Sequence, residues 1–257
     1  MRCSPVRDKK TMQLRSAVSS LFRSALDFAL PPRCGGCGTV VDETDSFCAD
    51  CWQSLDFLGP GGCSRCGLPL QATDAENCAV CLARPPRLDR IRAAVAYGDI
   101  SRSIAMRLKY GRKVALARTM SRYMHPLLGD LPEHSVFVPV PLHRWRLWGR
   151  GFNQSVIVAR ELSRRTGVPV SLDSLRRVKR TPPLKGLNLR QRRRTVAGAF
   201  RANPQAELRG RTVVLVDDVL TTGSTADACA RVLKRAGASR VDLISWARVV
   251  GPSRLDL

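Results

Sequence analysis

The sequence predicts an α/β fold, in which a doubly wound parallel sheet follows a small cysteine-rich domain. Eight of the ten cysteines lie between residues 34 and 81, in four Cys-x-x-Cys pairs. Beyond residue 88, short apolar runs alternate with segments of helical periodicity, as strand–helix–strand units require. The run at residues 212–216 lacks polar alternation, which is typical of a strand buried on both faces of a parallel sheet.

Charge and hydropathy narrow the class of protein. The chain has 257 residues and a net charge of +22, and residues 144–194 carry fifteen Lys and Arg against two acids. Such an excess of positive charge is typical of proteins that bind nucleic acid, phosphorylated substrates or an acidic membrane surface. Many of these basic residues can equally form a solvated surface. No segment approaches the roughly 20 apolar residues of a membrane span, and no secretory signal is visible. We therefore expect a cytoplasmic protein without a transmembrane segment.

The chain divides into three parts. Residues 1–30 are predicted to form a helical extension, because leucine, valine and alanine recur there at helical spacing. Translation starts at Met1 or Met12, and the sequence does not decide between them. Residues 31–87 form the cysteine-rich domain, and residues 88–257 form the α/β domain. The adjacent prolines Pro85 and Pro86 break regular structure at the boundary.

The cysteine pairs have the spacing of structural zinc sites. A Cys-x-x-Cys-Gly segment is followed ten residues later by Cys-x-x-Cys, and this pattern repeats with a spacing of eleven. Four thiolates from two such pairs make a tetrahedral Zn²⁺ site, so two zinc ribbons with about two structural zinc ions are predicted. Which pairs share an ion stays open, and a secreted disulfide framework is the alternative. The predicted ligands are Cys34, Cys37, Cys48, Cys51, Cys63, Cys66, Cys78 and Cys81.

The elements of the α/β domain follow from periodicity and from helix-ending glycines. Strands are predicted at residues 136–140, 168–172, 212–216 and 241–246, with helices at residues 153–167 and 225–237. One or two helices are predicted within residues 100–124, and residues 144–151 are predicted to be a loop. Asn153 either caps its helix or contacts a ligand. Cys229 has the pattern of a small buried hydrophobe.

The run VVLVDDVLTTGST at residues 213–225 predicts a binding site. Ligands of open α/β sheets bind beyond the carboxyl ends of the strands, where Asp217 and Asp218 lie. Carboxylates at such a position accept hydrogen bonds from ribose hydroxyls or hold Mg²⁺ through water, although two aspartates before a helix can also be a simple cap. The small residues that follow suit a phosphate at a helix N-terminus. This candidate phosphate loop comprises Thr221, Thr222, Gly223, Ser224 and Thr225.

The same run resembles the phosphoribosyl pyrophosphate (PRPP) motif of type I phosphoribosyltransferases. From about residue 26 onward, the whole chain resembles the ComF family of competence-related proteins. The other segments that carry this resemblance are the double Cys-x-x-Cys ribbon after PPRC at residues 31–34, LKY at residues 108–110 after Tyr97, VPVPLH at residues 138–143, and RGFNQ at residues 150–154.

The resemblance implies a type I phosphoribosyltransferase-like fold, with Asp217 and Asp218 on the ribose and the phosphate loop on the 5-phosphate. It places pyrophosphate near His143 and Arg144, after the first core strand, and a mobile segment over the site at residues 180–200. That segment contains Lys185, whereas Arg150 belongs to the RGFNQ match. Mg²⁺ is the implied cofactor. The segment departs from the family at two positions: Leu184 is present where the family commonly has Gln, and Thr195 where it commonly has Asn.

The residues and the resemblance together support three hypotheses of function. The first is transfer of a phosphoribosyl group from PRPP to an unknown acceptor, catalysed at Asp217 and Asp218. The second is a PRPP-sensing module that holds single-stranded DNA on arginines and on aromatic residues such as Trp145, Trp148 and Phe152. The third is an adaptor for DNA-uptake or helicase proteins. Lys109 lies on a predicted helix surface and is interpreted as a solvated lysine.

Overall fold

The computed structural model describes residues 31–59, 61–70, 75–182 and 186–251. The predicted helical extension at residues 1–30 lies outside the described residues, as do Leu184 and Lys185. Within the described ranges, no helix is both long enough and apolar enough to span a bilayer.

The helices are α1 (Ala49–Gln53), α2 (Ala79–Ala83), α3 (Asp99–Tyr110), α4 (Leu116–Met124), α5 (Arg144–Arg150), α6 (Gln154–Thr166), α7 (Leu189–Val196) and α8 (Ser224–Arg235). The strands are β1 (Arg90–Ala96), β2 (Ser135–Pro139), β3 (Leu175–Arg177), β4 (Phe200–Ala202), β5 (Thr212–Leu220) and β6 (Arg240–Arg248). β3 and β4 form a separate antiparallel pair.

Four parallel strands make the central sheet, in the order β1-β6-β5-β2. In the middle of the sheet, Val214 lies opposite Phe137 of β2 and Asp242 of β6. Because successive side chains of a strand point to opposite faces, β5 contributes to two cores. Val213 and Leu215 pack with α8, and Val214 packs with α3, α4 and α6. The predicted doubly wound parallel sheet is therefore confirmed.

The two cysteine-rich segments pack on opposite faces of the sheet near β1. The first ribbon (residues 31–59) packs against α3 and α4, and the second ribbon (residues 61–70 and 75–84) joins the core of α8. Both ribbons also bond to β1. The N–H of Leu58 donates to the Ala94 carbonyl at 3.0 Å, and the N–H of Ile91 donates to the Arg65 carbonyl at 2.8 Å. The ribbons thus cover the edge of the sheet that β1 forms, which protects this edge from pairing with other chains.

Two local predictions are wrong. Residues 144–151 are not a loop: residues 144–150 form α5, because His143 caps the helix and Gly151 follows its end with a positive φ of 83°. Residues 168–172 make only one parallel bridge, between Val170 and Phe137, and not a strand. Pro169 has no N–H to continue the ladder. β1 and the β3–β4 pair were not predicted from the sequence, whereas Cys229 is fully buried as expected.

Candidate active site and metal centres

Asp217 and Asp218 lie near the carboxyl end of β5, as the sequence predicts, but within the strand and not beyond it. β5 continues along β6 to Leu220, whereas its pairing with β2 ends at Val216. The two aspartates therefore project past the end of β2, where a ligand can approach. Asp218 is only 3% exposed, and a buried carboxylate requires compensating partners.

The N-terminus of α6 supplies donors to both carboxylates. Gln154 Nε2 donates to Asp218 Oδ1 at 3.2 Å, and Ser155 Oγ donates to Asp217 Oδ1 at 3.3 Å. Asn153 is the N-cap of this helix, since its Oδ1 accepts from the Ser155 N–H at 3.0 Å. Its Nδ2 donates to the Val140 carbonyl at 3.0 Å, which holds the helix start against the end of β2. The capping interpretation of Asn153 is confirmed.

Lys109, at the C-terminal end of α3, is an ion-pair partner of the acidic site. Its Nζ contacts Asp218 Oδ2, and its side chain is 21% exposed. Burial lowers the pKa of Lys109, but attraction to Asp218 and the hydrogen bond between them outweigh burial and raise that pKa above its ordinary value. The interpretation of Lys109 as a solvated lysine is therefore wrong: it is the resident cation of the site.

Arg150 joins the same network through Gln154. Its Nη1 donates to Gln154 Oε1 at 2.6 Å, so Gln154 bridges Arg150 and Asp218. The guanidinium also lies over the ring of Tyr110, 5.0 Å from its centroid, and such a cation–π contact fixes its position. The segments LKY and RGFNQ, far apart in the sequence, thus meet at Asp218.

Asp217 has an unusual protonation equilibrium. Burial, and then the charge of Asp218, raise the pKa of Asp217 to about 7, although Lys109 and the Asp218 N–H act in the opposite direction. A carboxyl group with this pKa changes its charge near neutral pH. The site therefore has one carboxylate, Asp218, paired with Lys109 and a second, Asp217, whose charge depends on pH.

The predicted phosphate loop connects β5 to α8. Gly223 has a positive φ of 79° and precedes the first residue of the helix, so the free N–H groups of α8 face the loop. Thr222 Oγ1 and Ser224 Oγ lie 3.0 Å apart. Arg192 of α7, which sequence reasoning did not single out, donates from Nη1 to Thr221 Oγ1 at 2.9 Å. A helix N-terminus, hydroxyl groups and a guanidinium together suit a phosphate group.

The remaining predicted residues have different positions. His143 is buried, and burial followed by nearby arginines lowers its pKa, so its Nδ1 can accept from the Trp145 N–H at 3.4 Å. Arg144 is exposed, with its guanidinium over the Trp145 ring. Lys185 lies outside the described residues. The Thr195 hydroxyl, at a departure from the family, bonds to the Gln191 carbonyl within α7.

The eight predicted metal ligands form two separate clusters of consecutive pairs. Within each cluster, the four sulfur atoms lie within 4.8 Å of one another, so the first two pairs form one cluster and the last two form the other. The Cys37 and Cys48 sulfurs are 3.6 Å apart, and those of Cys66 and Cys78 are 3.7 Å apart. Tetrahedral Zn–S bonds of about 2.3 Å imply a separation of about 3.8 Å. Both clusters therefore fit a zinc ion.

Glycines shape both clusters. Gly38 and Gly67, which follow the first pair of each ribbon, have the positive φ values expected there, 90° and 64°. A Cβ at Gly36 would lie 2.5 Å from the Cys51 sulfur, so no larger residue fits beside that ligand. The Gly36 and Cys48 N–H groups donate to the Cys34 sulfur at 3.3 Å, as amides do around a metal thiolate.

Comparisons with known proteins agree with this architecture. Residues 25–82 match the double zinc ribbon domain, and residues 152–250 match the phosphoribosyl transferase domain. The chain is thus a phosphoribosyltransferase-domain protein with an N-terminal double zinc ribbon.

Two curated relatives define its family. Competence protein F of Haemophilus influenzae (strain ATCC 51907 / DSM 11121 / KW20 / Rd) is 32% identical over 68% of this chain and 79% of its own length. DNA utilization protein YhgH of Escherichia coli (strain K12) is 33% identical over 67% of this chain and 78% of its own. The chain belongs to the ComF family. Among solved structures, the B. subtilis glutamine PRPP amidotransferase has a TM-score of 0.37 at 22% identity, covering 55% of this chain and 30% of that chain.

Proposed function

We propose that this protein is a Mg²⁺-dependent phosphoribosyltransferase that takes PRPP as its substrate and acts in DNA uptake or utilisation. One observation carries the proposal: two carboxylates near the carboxyl end of β5 are followed, after Val219 and Leu220, by the candidate phosphate loop at the N-terminus of α8. The two parts suit the ribose hydroxyls and the 5-phosphate of one ligand. The names of the relatives, competence protein F and DNA utilization protein, support this biological context.

Each group of the site has a proposed task. Free N–H groups of α8, the loop hydroxyls and Arg192 bind the 5-phosphate. Asp217 and Asp218 accept hydrogen bonds from the ribose hydroxyls, and Lys109 moves away from Asp218 to admit them. His143 and Arg144 follow the carboxyl end of β2 and are proposed to face the pyrophosphate, as is Arg150, which lies at the C-terminal end of α5 and contacts Gln154. Lys185 stays a prediction from the resemblance.

In the proposed reaction, the bond between the anomeric carbon and the pyrophosphate oxygen breaks, and pyrophosphate leaves with the electron pair. The acceptor forms the new bond to that carbon and gives its proton to the basic pyrophosphate. When bound, Mg²⁺ neutralises charge on the leaving group. The arginines of this region provide further positive charge, which is worth several kcal/mol in a closed site.

Calorimetric titration with PRPP and Mg²⁺ tests the binding site. Asp217→Asn/Asp218→Asn should weaken PRPP binding at least tenfold, because each hydrogen bond to a charged group contributes about 1.5–3 kcal/mol. Asp173→Asn removes an exposed carboxylate away from the site and serves as the control. Equal PRPP affinity in wild type and the double variant would exclude this site. Release of pyrophosphate in the presence of a panel of bases and nucleic acids then identifies the acceptor.

A second function is favoured by a specific surface, and we propose it as the alternative. α5 exposes 50% of Trp145 and 80% of Trp148, with ring centroids 5.8 Å apart. A cavity of about 550 Å³ adjoins these rings and is lined also by Arg144, Leu147 and Gly151. Aromatic rings beside arginines can stack bases and bind the backbone of single-stranded DNA.

Binding of an oligothymidylate at several salt concentrations tests this alternative. Trp148→Ala should weaken binding about tenfold, since stacking contributes about 1–3 kcal/mol per base, while Trp148→Phe should retain most of the affinity. The affinity of the wild type should fall steeply as salt rises. Affinity that is independent of salt, or equal in all three proteins, would exclude α5 as a strand-binding surface.

We also propose that each ribbon holds one structural zinc ion. A closed set of four thiolates leaves no coordination position for a substrate, and thiolates of this kind persist in a reducing compartment such as the cytoplasm. Elemental analysis of the reduced protein should therefore give about two zinc atoms per chain. A value near zero would be incompatible with this assignment.

A further inference from the structure

A groove runs along one side of α8, below the phosphate loop. It has a volume of about 590 Å³, within the range of roughly 300–1,000 Å³ typical of small-molecule sites. The second ribbon, the linker at residues 84–88 and β1 form one wall, and α7 forms the other. Thr222, Gly223 and Ser224 close one end. Asp217 and Asp218 do not line it, so the groove is distinct from the acidic pair.

The rim of this groove is positively charged. Arg84, Arg193 and Arg231 line it, and none of them has a carboxylate partner among the described residues. The one carboxylate of the lining, Asp227, is already engaged: its Oδ1 accepts from the Arg87 N–H at 2.9 Å and its Oδ2 lies 3.8 Å from Arg87 Nε. These contacts fasten the linker to α8. Three unpaired guanidinium groups around a concave surface favour an anionic ligand.

The floor of the groove is mainly apolar, and it also includes Cys66 and Cys81, two of the four cysteines of the second cluster. Leu88, Ile91 and Val196 are at most 4% exposed, and Pro85 and Pro86 line the groove beside them. A phosphate ion or a sugar phosphate would leave this apolar surface without a partner. A nucleobase would cover it, and guanidinium groups both stack on bases and bind phosphate through paired hydrogen bonds.

We propose that the groove binds a nucleoside phosphate, with its base on the apolar floor and its phosphate among Arg84, Arg193 and Arg231. The ligand would also contact the second ribbon and the edge of the phosphate loop. Occupancy of the groove would therefore connect three parts of the protein: the ribbon, α7 and the loop proposed to bind the 5-phosphate of PRPP. The groove can exist whether or not the protein transfers phosphoribosyl groups.

Adenosine 5′-monophosphate is a suitable probe, measured by calorimetry on the zinc-loaded protein. Arg193→Ala/Arg231→Ala should weaken its binding at least tenfold. The control Arg190→Ala/Arg235→Ala makes the same change of charge on exposed residues of the same two helices and should bind as the wild type does. Adenosine and ribose 5-phosphate should each bind at least tenfold more weakly than the probe. Thermal melting verifies that both double variants fold.

The acidic-pair variant separates this proposal from the proposed function. Asp217→Asn/Asp218→Asn should lose PRPP binding and keep affinity for adenosine 5′-monophosphate. Arg193→Ala/Arg231→Ala should lose affinity for adenosine 5′-monophosphate and keep PRPP binding. If the acidic-pair variant loses the nucleotide while the arginine variant keeps it, the nucleotide occupies the PRPP site and the groove proposal fails. The proposal also fails if wild type does not bind the probe, or if inorganic phosphate binds equally well.

Discussion

Asp218 has a side-chain partner at each of its two carboxylate oxygens. Lys109 Nζ contacts Oδ2, and Gln154 Nε2 donates to Oδ1. A sugar hydroxyl or a hydrated Mg²⁺ can reach Asp218 only by replacing one of these partners. Gln154 is held by Arg150, whereas Lys109 lies at a helix end on a flexible side chain. Lys109 is therefore the partner that we expect to be displaced, and its ammonium occupies the place of a cation until then.

Lys109→Met should destabilise the free protein by about 3 kcal/mol, because removing one member of a largely buried pair leaves the other charge without compensation. Millimolar Mg²⁺ should restore part of this loss in the variant and have little effect on wild type, since the metal then occupies the vacated position. Urea unfolding with and without Mg²⁺ measures both effects. Lys113→Met, at an exposed lysine just beyond α3, is the control. Unchanged stability of Lys109→Met would contradict the role of Lys109 as resident cation.

The raised pKa of Asp217 predicts that PRPP binding in the presence of Mg²⁺ depends on pH. The ionised carboxylate attracts Mg²⁺ and is acceptor-only, whereas a protonated carboxyl group has less capacity to accept hydrogen bonds from ribose hydroxyls. With a pKa of about 7, the ionised fraction rises about tenfold between pH 6 and pH 8, and the affinity should rise with it. Titrations at several pH values give the profile, and Asp217→Asn should bind weakly with a flat profile over that interval.

The same pKa determines how stability changes with pH in the absence of ligand. The pKa of Asp217 is raised in the folded state from an ordinary value of 3.8 to about 7. Between these values the folded state holds more protons than the unfolded state, so this residue lowers the free energy of unfolding as pH rises. Relative to wild type, Asp217→Asn should gain stability from pH 4 to pH 8, as followed by urea unfolding. A constant difference between the two proteins would contradict the raised pKa.

α3 links the first ribbon to the acidic pair. Arg107, two residues before Lys109, donates through Nη2 to the carbonyls of Gly35 and Gly36, which lie between two zinc ligands of the first ribbon. Arg107→Ala should release zinc from the first ribbon at least several-fold faster, because the loop that carries Cys34 and Cys37 loses its anchor. A chromogenic chelator measures the release. Arg102→Ala, at an exposed arginine of the same helix, should release zinc at the wild-type rate, and equal rates in both variants would exclude the anchor.

The sequence predicted the elements that have local signals. α6 shows clear periodicity between Asn153 and Gly167. Asn153 caps the start of the helix and Gly167 follows its last residue, as expected. β1 was not predicted, because Arg90 and Arg92 interrupt its apolar pattern. In the folded chain, Arg90 donates to the Leu128 carbonyl and Arg92 to the Cys63 carbonyl, and neither partner is near in the sequence. The role of Lys109 has no local signal at all, since its partner lies 109 positions away at Asp218. Motif residues were predictable, whereas pairs formed by tertiary packing were not.

The two cysteine clusters, each of which we propose to hold zinc, lie on both faces of one sheet. The first ribbon packs beside α3 and α4, the second ribbon belongs to the core of α8, and both bond to β1 at the edge of the sheet. Ribbons of this size have little core of their own, so we expect metal binding to supply most of their folding free energy. Loss of zinc should therefore affect the α/β sheet as well as the ribbons.

Removal of zinc with a strong chelator should lower the melting temperature of the α/β domain by roughly 10 °C, since a change of about 3–5 kcal/mol has this effect in a chain of this size. Melting followed by far-ultraviolet circular dichroism measures the change. Hydrogen exchange should accelerate most in β1, whose Ile91 N–H and Ala94 carbonyl bond to the ribbons, and least in β5 at the sheet centre. A chelator already saturated with zinc is the control. If the ribbons lose their metal while β1 exchanges at its original rate, the ribbons are independent modules and the sheet edge does not depend on zinc.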